Sequence, residues 1–318
     1  MALASPRRRY RLWAASLALL ATCIAPQPSL AQGNRWLAAA RTLRLDSLPG
    51  SVTTYFSSGQ RARAQTLQRD TREALSYFRD SLGVGDTTVH IAVIDRRDWP
   101  AFMPAQFYGV ASSVGPRPWT LLMTATGEGT MAQMLEGIRP RVSPATWASL
   151  DSSGRSIPDL VLREMDMAIV HEYGHILGRD LLGIRWGKEW FQEFLANYLM
   201  WSFLSARYPE RARAYAAFDA VVSEGAMSPP TQLTVYESGL SAMIGRGDQS
   251  SVMWFHASIG QRVRACYARR GLGLVRDVQR LLPRSAGWEL EDETLLPILD
   301  SICAGFTRWA ADMRLSDE

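Results

Sequence analysis

The chain has 318 residues, 47% hydrophobic and 21% charged, an ordinary globular composition that excludes disordered, collagen-like and coiled-coil classes. A formal charge of +4 invites a nucleic-acid or acidic-membrane reading, but the first 31 residues hold four arginines (Arg7, Arg8, Arg9, Arg11) and no acid. The remainder carries 31 basic and 31 acidic side chains, and a neutral body lacks the electrostatic footprint that a phosphate backbone demands.

The N-terminal segment reads as an address. PRRRYR precedes the apolar run LWAASLALLATCIA, which ends at Pro26, and Ser29 and Ala31 are small residues placed as a signal peptidase requires. The run has 14 residues. As a helix it would be about 21 Å long, too short for a hydrocarbon core of roughly 30 Å. Cleavage after Ala31 and export to a periplasmic or secreted location are expected, with a retained anchor as the alternative. Cys23 sits in a sequence like a lipoprotein box, although Thr22 fits poorly before it, and the arginine run loosely matches a twin-arginine signal. No later stretch approaches 18 uninterrupted apolar residues, so no stable membrane span is expected after cleavage. Cys266 and Cys303 would remain, forming either one disulfide or two buried thiols.

About 287 residues follow the cleavage point, without internal repeats. Apolar residues at helical spacing (Leu67, Ala74, Leu75, Phe78, Leu82) predict a helix over 62–82, stopped by Gly83 and Gly85. The β-branched run TVHIAVID predicts a strand over 88–95. Two more strands, Gln106–Ser113 and Trp119–Ala125, are predicted to pair as a hairpin through the Gly-Pro-Arg-Pro turn at 115–118. From about Gly129 the pattern turns helical: 158–177, 188–206, 209–222, 250–270 and 296–313, with Pro297 in the first turn of the last. An α+β molecule is expected: a signal over 1–31, an N-terminal α/β part with an edge strand over 32–140, and a helical part over 141–318. The functional cleft is expected between the two halves.

The chemistry concentrates in VLREMDMAIVHEYGHILGRD, residues 161–180. His171, Glu172 and His175 form H-E-x-x-H, which on a helix puts both imidazoles on one face, within reach of one zinc ion. Glu172 projects beside them, where it can hold a water and accept its proton. Leu162, Met165, Ala168 and Ile169 supply an apolar face, and Gly178 a C-terminal stop. A third ligand six residues beyond His175 is disfavoured, because that position is Leu181 and Asp180 is out of register. A glutamate from the next helix, KEWFQEFLANYL, fits better, and both Glu189 and Glu193 are candidates.

Here the sequence resembles the gluzincin metallopeptidases, the thermolysin-like and aminopeptidase-like clan called peptidase MA. Its members carry H-E-x-x-H on one helix and a Trp-hydrophobe-x-Glu-x-x-Ala-x-Tyr signature on the next. Trp190, Phe191, Glu193, Ala196 and Tyr198 occupy those positions, with Phe194 where glycine is common. The specific match covers residues 165–200. A looser likeness extends over the helix–strand–strand layout from Val52 to Ala125 and the helical run after Met253.

The resemblance implies Glu193 rather than Glu189 as the ligand, one Zn²⁺ per chain, Glu172 as general base, and a peptide or protein substrate. It also implies that Asn197, where an aspartate is usual, orients a ligand histidine without bringing charge. An oxyanion donor from downstream helices is implied too, with His256 and Tyr236 as candidates and Tyr267 behind them; His256, after Met253, Trp254 and Phe255, reads first as a packed core residue and is not counted among the site residues. By the same resemblance, the Trp119–Ala125 strand would be the edge that pairs with substrate backbone. His90, in mid-strand, reads as structural. The rival expectation is a non-catalytic envelope binding or assembly protein of the same fold with a structural zinc, which an intact Glu172 argues against.

Overall fold

A computed structural model describes residues 31–85, 87–115, 117–183, 188–226, 248–282 and 290–314. Residues 1–30 of the signal segment, with Cys23, and also Pro116 of the hairpin turn and Tyr236 lie outside them.

Of the first four elements only the helix over 61–82 was predicted. Helix α1 spans Ala31–Thr42, and the short strand β1 covers Asp46–Leu48. Strand β2 (Val52–Phe56), helix α2 (Arg61–Leu82) and strand β3 (Val89–Ile94) follow. Gly83 closes α2 with a left-handed φ of +66°, its N–H donating to the Arg79 carbonyl, as the sequence led us to expect. Strand β5 (Trp119–Thr124) matches its prediction. Its partner β4 is only Ser112–Val114, and Ala105–Phe107 turns as a 3₁₀ segment instead of extending the strand. Pro104 opens that turn, and Tyr108 then tucks its ring edge-on against Trp99.

The five strands form one mixed sheet in the order β1-β2-β3-β5-β4. The outer pairs are antiparallel, while β3 runs parallel to both β2 and β5. This order corrects one expectation: the Trp119 strand is interior, flanked by β3 and β4, and the sheet edge on that side is β4. The uninterrupted apolar run of β3 follows from burial on both faces. Val89, Ile91 and Val93 face α2 and the helical half, while Ala92 and Ile94 meet Trp99 and Tyr108 on the other side.

The helical half begins with two helices that the sequence reading did not resolve, α3 (Thr130–Ile138) and α4 (Pro144–Leu150). Then come α5 (Ile157–Ile176), α6 (Glu189–Arg207), α7 (Pro209–Gly225), α8 (Gln249–Arg270), α9 (Gly273–Leu281), α10 (Asp292–Ile302) and α11 (Phe306–Arg314). The predicted final helix is two. Cys303–Gly305 separates them, Gly305 has φ +101°, and Asp300 accepts from the N–H groups of Gly305, Phe306 and Thr307 to start the second. Pro297 lies inside α10 rather than in its first turn, because the helix starts earlier, at Asp292.

Ser156 caps α5, its hydroxyl accepting from the Asp159 N–H. Gly178 does not stop the helix. The chain continues through a wider π-type turn over Leu177–Leu181, and a side chain at Gly178 would begin 3.0 Å from Leu195 of α6. Close approach, not termination, explains that glycine. One apolar cluster runs from Leu48 to Ala310 and joins the sheet to α2, α5, α6 and the C-terminal helices.

Candidate metal centre

Two helices build the centre. The chain reverses between α5 and α6, which lie against each other closely because small residues meet: a Cβ on Gly174 would fall 2.9 Å from the Ala196 Cα. Bulky residues of α6 anchor it elsewhere. Trp190 Nε1 donates to buried Asp292 of α10 at 3.0 Å, and the Tyr198 hydroxyl donates to the Gly271 carbonyl at 2.6 Å. Phe194 packs edge-on against Phe306 at 5.0 Å between ring centres. The hydrophobic letters around Glu193 therefore fix the roll and height of α6 against its neighbours.

That placement brings polar atoms to one point. His171 Nε2 lies 3.1 Å from His175 Nε2 and 3.1 Å from Glu193 Oε2, and His175 Nε2 lies 3.4 Å from Glu193 Oε1. His171 and Glu193 are buried, His175 nearly so. Glu193 Oε2 makes no well-aligned hydrogen bond, an arrangement that a buried carboxylate tolerates poorly unless a cation completes it. His171, Glu172 and His175 also have donor atoms within 4.8 Å of one another, forming a group able to hold a metal ion. Of the two carboxylates, Glu193 lies between the imidazoles, whereas Glu172 stands to the side on α5.

The electrostatics follow from burial and proximity. Burial alone would lower His175, but the charge and hydrogen bond of Glu193, with the charge of Glu172, overcome it and raise the group to about 9. Burial would likewise raise Glu193, yet the neighbouring imidazoles hold its carboxyl well below the usual range. Around this trio, His171 Nδ1 faces Asn197 Oδ1 at 3.2 Å, and the Tyr215 hydroxyl donates to the same oxygen at 3.2 Å.

His256 comes to the cleft from α8. Its ring lies 5.9 Å from that of His171 and its Nδ1 3.9 Å from Glu193 Oε2, and burial lowers it to about 4. Tyr267 is not among the lining side chains and stacks edge-on against Tyr198. Glu189 lines the outer cleft, while Trp119 forms part of the wall with the Arg179 guanidinium 4.1 Å above its ring. His90 sits on β3 beside Tyr55, and burial lowers it.

The cleft encloses about 560 Å³ and is lined from β4, β5, α3, α5, α6, α7 and α8. Glu164 and Tyr215 are among the lining residues that the sequence did not single out. The signal for Glu164 was present: it lies seven residues before His171, which is two turns along the same helix face. Tyr215, on a separate helix, left no local pattern.

The chain matches no family model, no curated protein and no solved structure.

Proposed function

We infer that the chain is an exported zinc-dependent peptide hydrolase in which His171, His175 and Glu193 hold one Zn²⁺ and Glu172 is the general base. The observation that carries this reading is the clustering of the donor groups: the two Nε2 atoms lie 3.1 Å apart, and Glu193 presents Oε2 3.1 Å from His171 Nε2 and Oε1 3.4 Å from His175 Nε2. Zinc bonds of 2.0–2.1 Å at tetrahedral angles require donor atoms about 3.3 Å apart. Two imidazoles and one carboxylate are also the donor set of a catalytic rather than a structural zinc site, which keeps a fourth position open.

Bound there, zinc supplies a Lewis acid that makes a water acidic near neutral pH and polarises a carbonyl group. The chain's own residues do the rest. Glu172 accepts the water's proton and returns it to the departing nitrogen, so a single carboxyl serves as base and then acid. Asn197 and Tyr215 hold His171 in one orientation. His256 stands where a donor to the developing oxyanion is useful. The β4 edge, with Ser112 and Ser113 on the cleft wall, offers backbone groups to an extended peptide.

The test is a metal count joined to a cleavage assay. Wild-type protein should carry one zinc per chain and lose activity to chelators, recovering it when zinc is restored. Glu172→Gln should retain the zinc while hydrolysis falls by about 10²-fold or more. Cleavage by that variant at the wild-type rate would remove Glu172 from its role. Tight zinc without turnover on a broad peptide library would favour the binding protein with a structural ion.

A further inference from the structure

One carboxyl group in the cleft has no part in the hydrolytic machinery. Glu164 lines the cleft although it is 1% exposed, and the helix rise puts it about 10 Å along α5 from His171. Arg163 Nε and Nη2 donate to its Oε1 at 3.2 and 3.1 Å, whereas its Oε2 is buried and has no hydrogen-bond partner. Apolar side chains from four helices line the same cleft: Met131 of α3, Met165 and Ala168 of α5, Phe218 of α7 and Met253 of α8.

A buried acceptor left unpaired is costly, and the same position filled by leucine or methionine would avoid that cost. The nearby charges do not remove it. Asp219 is matched by Arg264 and Asp166 by Arg63, so neither arginine is available to Glu164. Burial pushes the Glu164 carboxyl up to about 8 against the pull of Arg163, with Asp219 and Asp166 adding to the rise. Arg163 pairs with Glu164 through Oε1 alone, so Oε2 is left without a donor beside a methionine-lined wall.

We propose that this end of the cleft is a specificity pocket for a basic side chain, where a substrate lysine or arginine beside the scissile bond donates to Glu164 Oε2. Flexible thioether walls suit the aliphatic stem of such a residue, which keeps its cationic end for a polar partner. Raised to about 8, Glu164 carries a proton near neutral pH, and an entering lysine or arginine releases that proton to form a pair that the low dielectric strengthens. A substrate without a terminal donor leaves the buried oxygen unpaired and is disfavoured for that reason. The assignment rests on the peptide-hydrolase reading and adds a substrate class to it.

The experiment compares zinc-loaded wild type and Glu164→Gln on peptides that differ at one residue, on either side of the cleaved bond. That residue is lysine, arginine, norleucine or citrulline. Binding of the same peptides to Glu172→Gln, with and without Glu164→Gln, is measured by calorimetry. Wild type should favour lysine and arginine over norleucine and citrulline by about tenfold or more in kcat/KM, and Glu164→Gln should bring that ratio near one. The wild-type profile decides the matter even if the variant folds poorly.

Hydrolysis without basic preference overturns the pocket and leaves the hydrolase standing. A basic preference that persists in Glu164→Gln also overturns it. Binding of basic peptides that Glu164→Gln weakens, with no wild-type hydrolysis, supports the pocket and overturns the hydrolase. Neither binding nor cleavage of any peptide overturns both.

Discussion

His171 and Asn197 meet across the α5–α6 contact, Nδ1 to Oδ1 at 3.2 Å, with Asn197 only 1% exposed. The amide oxygen can only accept, so it fixes the proton on Nδ1 and leaves the Nε2 lone pair directed at His175 and Glu193. Asparagine thus sets the tautomer without adding a second buried negative charge beside Glu193.

Asn197→Ala should leave the His171 N–H without its acceptor and lower zinc affinity by about 10- to 100-fold. Asn197→Asp should restore the acceptor and bind zinc more tightly than the alanine variant. Competition against a chromophoric chelator reads both. An alanine variant with wild-type affinity would show that Asn197 does not orient the ligand.

The second prediction concerns the helix contact itself. Gly174→Ala puts a methyl 2.9 Å from the Ala196 Cα and 3.0 Å from its carbonyl oxygen, both backbone atoms that cannot turn aside. Overpacking of this kind costs about 1–3 kcal/mol. It also pushes α6 away from α5, so zinc affinity should fall together with the melting temperature. Gly137→Ala, at an exposed position of α3, is the control, since nothing lies within 4 Å of its Cβ and alanine favours the helix. Equal melting temperatures for the two variants would contradict the close-packing role of Gly174.

Why the two helices of the candidate site were legible in the sequence and other parts were not has a physical explanation. H-E-x-x-H works through spacing on one helix, and the α6 signature works through anchors that any alignment of its letters preserves. Both are local. The edge strand failed because sheet order is decided by long-range pairing: nothing in WTLLMTA shows that β3 will take one side and β4 the other. The division of the last helix turned on Asp300 capping three N–H groups across Cys303–Gly305, while the spacing of apolar residues passes through that break unchanged. His256 follows Met253, Trp254 and Phe255 and reads as core from its neighbours. It stands at the cleft because α8 packs against α6 and α7.

Asp219 supplies a prediction in pH. It is 2% exposed on α7 and pairs with Arg264 of α8. Burial raises its carboxyl to about 7 despite that partner, from an ordinary value of 3.8. Between those values the folded protein keeps a proton that the unfolded chain releases. The contribution of Asp219 to stability is therefore greatest below about pH 4, falls as pH rises towards 7, and is level above it. Asp219→Asn removes this term, so the difference between wild type and variant should move against wild type by up to a few kcal/mol from pH 4 to pH 8. Urea unfolding of chelator-treated protein measures it without metal linkage. A difference constant with pH would mean that Asp219 is charged throughout.

The last prediction concerns the covalent link between Cys266 of α8 and Cys303, which follows α10. Their Cα atoms are 5.8 Å apart and their separation in sequence is 37 residues. Of the two possibilities left open by the sequence, the structure takes the disulfide. Closing a loop of that length stabilises by roughly 4 kcal/mol in the chain-entropy description. The junction is also held without it: Arg262 donates to the carbonyls of Cys303 and Ala304, each at 2.7 Å. Loss of the bridge should therefore lower the melting temperature by several degrees without unfolding the protein at 25 °C. His171, His175 and Glu193 sit on α5 and α6, outside the closed loop, so zinc content should hold. Wild type in reductant should melt like the double variant Cys266→Ala, Cys303→Ala, and reductant should not shift that variant further. If reduced wild type, with free thiols confirmed by titration, melts like the oxidised protein, the bridge contributes nothing and the arginine contacts hold the junction alone.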